Sequence, residues 1–270
     1  MNPHKPDQPI GIFDSGIGGL TVADAIVKQL PQENIIYFGD TAHLPYGDKS
    51  ATTIQAYSVK IAEFLLQRQC KMILIACNSA STAAFELIKE YIGKQAIVMD
   101  VVDPIISLLR EQYANKKIGL IGTRQTVSSN VYQKKIEDLK QNIRLTSLAT
   151  NLLASAIEEF GNGRAIDGLL EEYLSHPTLK NLDALVLACT HYPIVKNKIA
   201  KFFDHKMEII DPSDTVAKAV KKRLDDLKLL NLEGPGKKHF YVSDYTESFA
   251  AGTKIFFQDA ITLEHYPLLD

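Results

Sequence analysis

Two short apolar runs in this sequence each deliver a cysteine that is followed by small polar residues. Residues 73–76 precede Cys77, and the similar run 185–188 precedes Cys189. Such β-rich runs predict strands, and open α/β sheets bind ligands beyond the carboxyl ends of their strands. Two equivalent thiols at such ends suit a reaction with two equivalent faces. A racemisation is one, because one group removes a proton from a carbon and the other returns a proton to the opposite side.

The neighbours of the two cysteines leave a second chemistry open. His191 follows Cys189 by two residues, which in an extended segment places both side chains on one face. There the imidazole would lower the pKa of the thiol or handle a substrate proton. Asn78, Cys77 and His191 would also suit a cysteine hydrolase, which the spacing does not distinguish. The third cysteine, Cys70, is predicted to be a packing residue.

A glycine-rich segment follows the first predicted strand. Residues 11–21, with the sequence GIFDSGIGGLT, indicate a strand, a turn and the start of a helix. That layout aims backbone N–H groups at an anion. The segment lacks the Gly-Lys-Ser/Thr ending and the third glycine of nucleotide-binding motifs. Asp14 and Ser15, at the same predicted sheet edge as Cys77, are therefore expected to contact a substrate.

Alternating apolar periodicities predict an α/β protein with parallel sheets. Two series of four strands each carry a cysteine after the third strand, and an Asp-Pro pair, at 103–104 and 211–212, follows the fourth. The strands are predicted at 10–13, 35–38, 72–76, 97–102, 118–121, 143–149, 184–188 and 208–210, with helices at 21–30, 52–69, 128–139, 152–160, 166–174 and 215–230 and a last strand at 239–243. This pattern predicts two similar doubly wound parallel-sheet domains facing each other across a cleft, which holds the active site.

Composition excludes several classes of protein. With 270 residues, 46% hydrophobic and 23% charged, the chain can bury one large core or two modest ones. A net charge of −2, with no cluster of Lys and Arg between aromatics, argues against nucleic acid as a main partner. Residues 1–9 do not resemble a secretory signal and no run reaches membrane-spanning length, so a cytoplasmic protein without a membrane partner is expected. That also argues against a two-lobed periplasmic-type binding module. Three cysteines in such a chain are expected to be reduced thiols.

Five motifs together resemble the glutamate racemases of the aspartate/glutamate racemase family. They are FDSGIGG at 13–19, YFGD at 37–40, PYG at 45–47, ACNSAS at 76–81 and CTHYP at 189–193. The resemblance implies cofactor-independent interconversion of L- and D-glutamate, which supplies D-glutamate for peptidoglycan. It also implies two domains, 1–98 with the returning segment 214–270, and 99–213. An aspartate racemase of the same family is the alternative.

The resemblance also implies roles for single residues. Cys77 and Cys189 would be the two acid/bases, assisted by Asp14 on one side and by His191 with a glutamate on the other. Glu158 aligns better with that glutamate than Glu159, although the family's preceding Cys-Pro is absent. The substrate-binding residues implied are Asp14, Ser15, Tyr46, Gly47, Asn78, Ser79, Thr190 and His191, with Ser79 replacing the more usual threonine.

The cofactor and partner predictions follow from the same motifs. No lysine lies inside a strand-end motif, so no Schiff-base partner for pyridoxal phosphate is evident. No CxxC or HxxxH spacing indicates a metal site. We expect no cofactor, a small-molecule substrate, and a chain for which the sequence leaves a homodimer open.

Overall fold

The computed structural model describes residues 4–257 and 259–268. Their strands are β1 Ile10–Asp14, β2 Ile35–Gly39, β3 Met72–Ile75, β4 Ile97–Asp100, β5 Lys117–Gly122, β6 Arg144–Ala149, β7 Ala184–Ala188, β8 Glu208–Ile210, β9 Lys238–Val242 and β10 Leu263–His265. Their α-helices are α1 Leu20–Gln29, α2 Ala51–Gln67, α3 Asn78–Ile92, α4 Val102–Gln112, α5 Arg124–Ser128, α6 Val131–Asp138, α7 Leu153–Phe160, α8 Ala165–Leu174, α9 Lys196–Phe202, α10 Pro212–Asp226 and α11 Glu247–Phe256.

The strands form two parallel sheets with the same internal order. One sheet runs β10-β9-β2-β1-β3-β4 and the other β6-β5-β7-β8. In each, the first four strands of the series lie in the order second, first, third, fourth, and all pairings are parallel. The prediction of two similar doubly wound α/β domains is confirmed. The loops after β1 and β3, and after β5 and β7, flank the switch points of the sheets, where ligands bind in this architecture.

Both faces of each sheet are covered by helices, which explains why the strands appear as continuous apolar runs. In the larger sheet Leu74 faces the core shared with α1 and α10, whereas Ile75 faces the core shared with α2 and α3. The smaller sheet is divided in the same way, with Val186 on one face and Leu187 on the other. Two cores per sheet hold the strand ends in fixed positions.

The end of the chain returns to the larger sheet. Strand β9 pairs with β2, and β10 pairs with β9. Helix α10 packs on the same sheet through Val216 and Val220. The predicted domain boundaries at 98/99 and 213/214 stay a prediction, and residues 1–3, 258 and 269–270 of that division lie outside the described residues.

Several predicted elements differ from the observed ones. The strand predicted at 97–102 ends at Asp100, whose Oδ1 accepts the Asp103 N–H at 2.9 Å, so the chain turns early into α4. The helix predicted at 128–139 is two helices, because Asn130 between them has a left-handed φ of 57°. The helix predicted at 215–230 begins at Pro212, capped by the Asp211 side chain. Helices α3, α4, α9 and α11 and strand β10 were not among the predicted elements.

The described helices include none that is both long enough and apolar enough to cross a membrane.

Candidate active site

The strand-end loops of both sheets meet around one small cavity, which offers the centre of a water-sized molecule about 40 Å³. Every residue for which the sequence predicts a site role lines this cavity, except Asp14, which is buried behind it. The lining residues are Ser15, Gly16, Leu44, Pro45, Tyr46, Gly47, Cys77, Asn78, Ser79, Thr123, Ala154, Ser155, Glu158, Cys189, Thr190 and His191. The sequence reasoning assigned no role to Gly16, Leu44, Pro45, Thr123, Ala154 or Ser155.

Cys77 reaches the cavity from the larger sheet. It lies between β3 and the first residue of α3, is 5% exposed, and its Sγ is 3.7 Å from the Ser15 Oγ. Burial, together with the negative charge of Asp14, raises the pKa of the Cys77 thiol. Cys77 is therefore a protonated thiol at neutral pH, able to give a proton rather than to take one.

Asp14 lies at the end of β1 and is fully buried. Its Oδ2 accepts the Gly19 N–H at 2.8 Å, while no described residue bonds to Oδ1. Burial raises the pKa of Asp14, and the charge of His191 and the Gly19 hydrogen bond only partly offset this. A buried oxygen without a partner is costly in a folded protein and is a common feature of functional sites.

Cys189 reaches the cavity from the smaller sheet with a different set of partners. Its Sγ lies 3.8 Å from Nδ1 of His191, and Nε2 of His191 lies 3.2 Å from Oε2 of Glu158. Burial alone would lower the pKa of His191, but the hydrogen bonds and negative charges of Cys189 and Glu158 outweigh it and raise that pKa to about 10. The ring is thus an imidazolium at neutral pH, and this positive charge lies beside the Cys189 sulfur.

Helix α7 determines which glutamate meets the histidine. Glu158 faces the cavity, whereas Glu159, one residue further, is exposed to solvent. Since neighbouring residues on a helix point in directions about 100° apart, only one of the two can reach the site. The geometry agrees with the alignment that favoured Glu158.

Two residues to which the sequence assigned no individual role pack against the His191 ring. A Cβ on Gly18 would lie 2.4 Å from the ring carbon Cε1, so the loop backbone packs directly against the imidazole. Phe256, at the end of α11, meets the ring edge-on, with centroids 5.3 Å apart and planes at 81°. The glycine run pointed to Gly18, but no sequence signal connects Phe256 to a residue 65 positions earlier.

Polar contacts between the two sheets surround the cavity. The hydroxyls of Ser79 and Thr123 are 2.8 Å apart, and the Tyr132 hydroxyl donates to Oδ1 of Asn78 at 2.8 Å. Thr21 Oγ1 donates to the Thr190 carbonyl at 3.0 Å. These bonds place hydroxyl and amide groups of both sheets around one small space, which suits a polar ligand with more than one anionic group.

Within residues 4–257 and 259–268, no group of three or more His, Cys, Asp or Glu side chains is arranged to hold a metal ion.

Comparison with known proteins places this arrangement in a family. The sequence model of the Asp/Glu/hydantoin racemase family matches residues 10–220. The chain is 38% identical over 264 residues to glutamate racemase 3 of Caldanaerobacter subterraneus subsp. tengcongensis, covering 97% of this chain and 95% of that protein. The chain therefore belongs to the Asp/Glu/hydantoin racemase family.

Solved structures agree with this assignment. The crystal structure of glutamate racemase from Francisella tularensis in complex with D-glutamate is 40% identical in sequence. It covers 97% of this chain and 98% of its own, with a TM-score of 0.90. An aspartate racemase from Picrophilus torridus, 19% identical, covers 83% of this chain and 100% of its own with a TM-score of 0.59, and shares the fold.

Proposed function

We propose that this protein interconverts L- and D-glutamate without a cofactor, using Cys77 and Cys189 as the two acid/bases. The observation that carries the proposal is the pair of thiols lining one cavity, each following the third strand of its own sheet. The bound D-glutamate of the Francisella relative supports the choice of substrate. The D-glutamate formed would supply peptidoglycan synthesis in the cytoplasm.

The reaction needs one thiolate and one thiol. The thiolate takes the α-proton, so an S–H bond forms as the C–H bond breaks, and the electron pair passes into the substrate α-carboxylate. The opposite thiol then gives its proton to the other face of the carbon and becomes a thiolate. Proton and charge balance, and the two sulfurs have exchanged roles, as the reverse reaction requires.

The electrostatics of the two sulfurs support a defined resting state. Burial and Asp14 raise the pKa of Cys77 and keep it protonated, so the thiolate that the reaction needs falls to Cys189, whose sulfur lies 3.8 Å from the His191 ring. In this state Cys189 is ready to remove a proton and Cys77 to deliver one. The family resemblance assigns the deprotonation of L-glutamate to Cys189, which agrees with this polarity.

Stabilising the developing charge is the harder task, because an amino acid α-proton is a very weak acid. Preorganised donors in a small cavity with little water supply that stabilisation. Ser15, Asn78, Ser79 and Thr190 line the cavity and would hold the substrate carboxylates. Asp14, which is buried behind the cavity and whose Oδ1 has no partner among the described residues, would assist Cys77.

The proposal is tested by incubating the protein with L-glutamate in deuterated water and following optical rotation and the α-proton NMR signal. Both should decay together, and early D-glutamate should carry deuterium while recovered L-glutamate carries little. Aspartate should react at most in traces, because donors that fix the longer substrate would lose their partner. Comparable turnover of aspartate would identify an aspartate racemase instead.

Replacement of single cysteines separates the racemase from the hydrolase. Cys77→Ala and Cys189→Ala should each slow racemisation by about 10²–10⁴-fold, because each removes one acid/base. Cys70→Ala is the matched control, since Cys70 is buried beside Gly11 and does not line the cavity. A hydrolase would instead need one cysteine and accumulate an acyl-enzyme. Near wild-type racemisation in either active-site variant contradicts the two-base mechanism.

A further inference from the structure

We infer that Asp40 is a positioning residue that holds the loop formed by residues 44–47 against the substrate cavity. All four loop residues line that cavity. Asp40 does not line it: it follows β2 and is fully buried. The inference extends the proposed function, because it concerns how the binding site keeps its shape.

Three donors from three chain positions converge on the Asp40 carboxylate. The Tyr46 hydroxyl donates to Oδ2 at 2.5 Å, while Ser243 Oγ and His43 Nδ1 bond to Oδ1 at 2.7 and 2.8 Å. An ionised carboxylate only accepts hydrogen bonds, so it satisfies all three donors at once. Charge-assisted bonds of this kind are short and strong. Tyr46 thus lines the cavity while its hydroxyl is bound to Asp40.

The histidine in this cluster is itself held in place. The His43 ring stacks on Tyr57, with centroids 4.0 Å apart and planes at 20°. Tyr57 also stacks near the Tyr46 ring at 6.0 Å. Since the carboxylate accepts from Nδ1, His43 carries a proton on that nitrogen. His43, directly before the loop, and Tyr46, within it, are therefore both bound to Asp40.

The returning end of the chain also binds the segment that leads into the loop. The Ser243 N–H donates to Gly39 at 3.0 Å, and its Oγ accepts the Ala42 N–H at 2.9 Å. Thr41 Oγ1 donates to the Asp244 carbonyl at 2.5 Å and accepts the Asp244 N–H at 2.9 Å. These bonds hold residues 39–42, which precede the loop. Their partners, Ser243 and Asp244, lie outside residues 10–220, the part of the chain that the family model matches.

Displacement of the loop would change the cavity directly. A Cβ on Gly47 would lie 2.7 Å from Cβ of Thr123, so the loop backbone rests on the strand-end loop of the other sheet. A shift of about 1 Å in groups that position a substrate is enough to impair an enzyme severely. Asp40 thus connects Ser243, at the end of β9, to Tyr46 in the cavity wall, so the position of that wall depends on Asp40.

The test compares Asp40→Asn with Glu33→Gln, a matched carboxylate far from the site. Glu33 is 1% exposed and accepts hydrogen bonds from Lys71 and Asn231. Glu33 lies before β2, whereas Asp40 lies at the opposite end of that strand. In Asp40→Asn the new amide reverses the bond to Tyr46 and leaves the hydroxyl hydrogen without its acceptor. Both variants should lose thermal stability, but only Asp40→Asn should disturb the loop.

Two readouts distinguish positioning from a purely structural role. Hydrogen exchange measured by mass spectrometry should speed up about tenfold or more in residues 41–48 of Asp40→Asn, and remain at the wild-type rate there in Glu33→Gln. In steady-state kinetics, Asp40→Asn should raise KM for both glutamate enantiomers by about tenfold with a smaller change in kcat. Ser243→Ala should act in the same direction to a lesser degree.

A double-variant comparison completes the test. Tyr46→Phe should raise KM for glutamate. Adding it to Asp40→Asn should raise KM little further, because both substitutions remove the same hydrogen bond, from the Tyr46 hydroxyl to the Asp40 carboxylate. The inference is overturned if hydrogen exchange in residues 41–48 of Asp40→Asn stays at the wild-type rate. It is also overturned if the wild type racemises glutamate and Asp40→Asn has the same KM. A wild type that does not racemise glutamate overturns the proposed function instead, and the exchange comparison still tests the role of Asp40.

Discussion

Replacing Glu158 by glutamine should lower the pKa of His191 and slow racemisation. In the wild type that pKa is about 10, against an ordinary value of 6.5. The difference corresponds to about 5 kcal/mol in favour of the imidazolium, at about 1.36 kcal/mol for each pH unit. Cys189 and Glu158 share this effect. An opposite charge within a few ångströms accounts for about one to three pH units, so the pKa of His191 in the variant should fall by about that much.

The fall has consequences for rate and stability. At pH 8 a group with a pKa of about 10 is about 99% protonated, and a fall of about one to three pH units leaves between about nine tenths and a tenth of it protonated. Racemisation at pH 8 should therefore slow by up to about tenfold, equally in both directions because the enantiomers have equal free energy. Since folding raises this pKa, its stabilisation is complete below about pH 6.5 and disappears as the pH rises through about 10. The stability gap between wild type and variant should narrow over that range.

The assay is a pH titration of ¹³C-labelled histidine by NMR, with the His191 signal assigned from a His191→Asn variant. Glu159→Gln is the control, because it removes the same charge from an exposed position on the same helix. A pKa of His191 that stays near 10 in Glu158→Gln, or that falls equally in Glu159→Gln, would refute the reasoning.

Three further substitutions test the packing around the site and the fold. Gly18→Ala places a methyl group 2.4 Å from the His191 ring, so kcat/KM should fall by about 10² with a stability loss of about 1–3 kcal/mol; activity near that of the wild type would show that the ring can move. Phe256→Ala should lower the free energy of unfolding by about 3–5 kcal/mol, measured by urea denaturation, and Phe256→Leu by much less. Lys71→Met leaves the buried Glu33 carboxylate without its cation and should lower the free energy of unfolding by about 3–5 kcal/mol. The double variant Lys71→Met/Glu33→Leu should regain most of that stability. A double variant no more stable than Lys71→Met would contradict this explanation.

The sequence by itself determined the strands and the residues at their ends. A strand buried on both faces needs an unbroken apolar run, which is visible locally, and its last residue decides where the next side chains lie. Cys77 and Cys189 could therefore be placed beyond two strand ends without knowing how the strands pair. The matching order of strands in the two sheets then brought both to one cavity.

Only the tertiary structure decided the contacts between distant parts of the chain. The edge-on contact of Phe256 with His191, the bond from Ser243 to Asp40, and the strand β10 all depend on how the last 50 residues return to the larger sheet. No local periodicity encodes such contacts, because they arise from the packing of residues that lie between 23 and 203 positions apart in the chain.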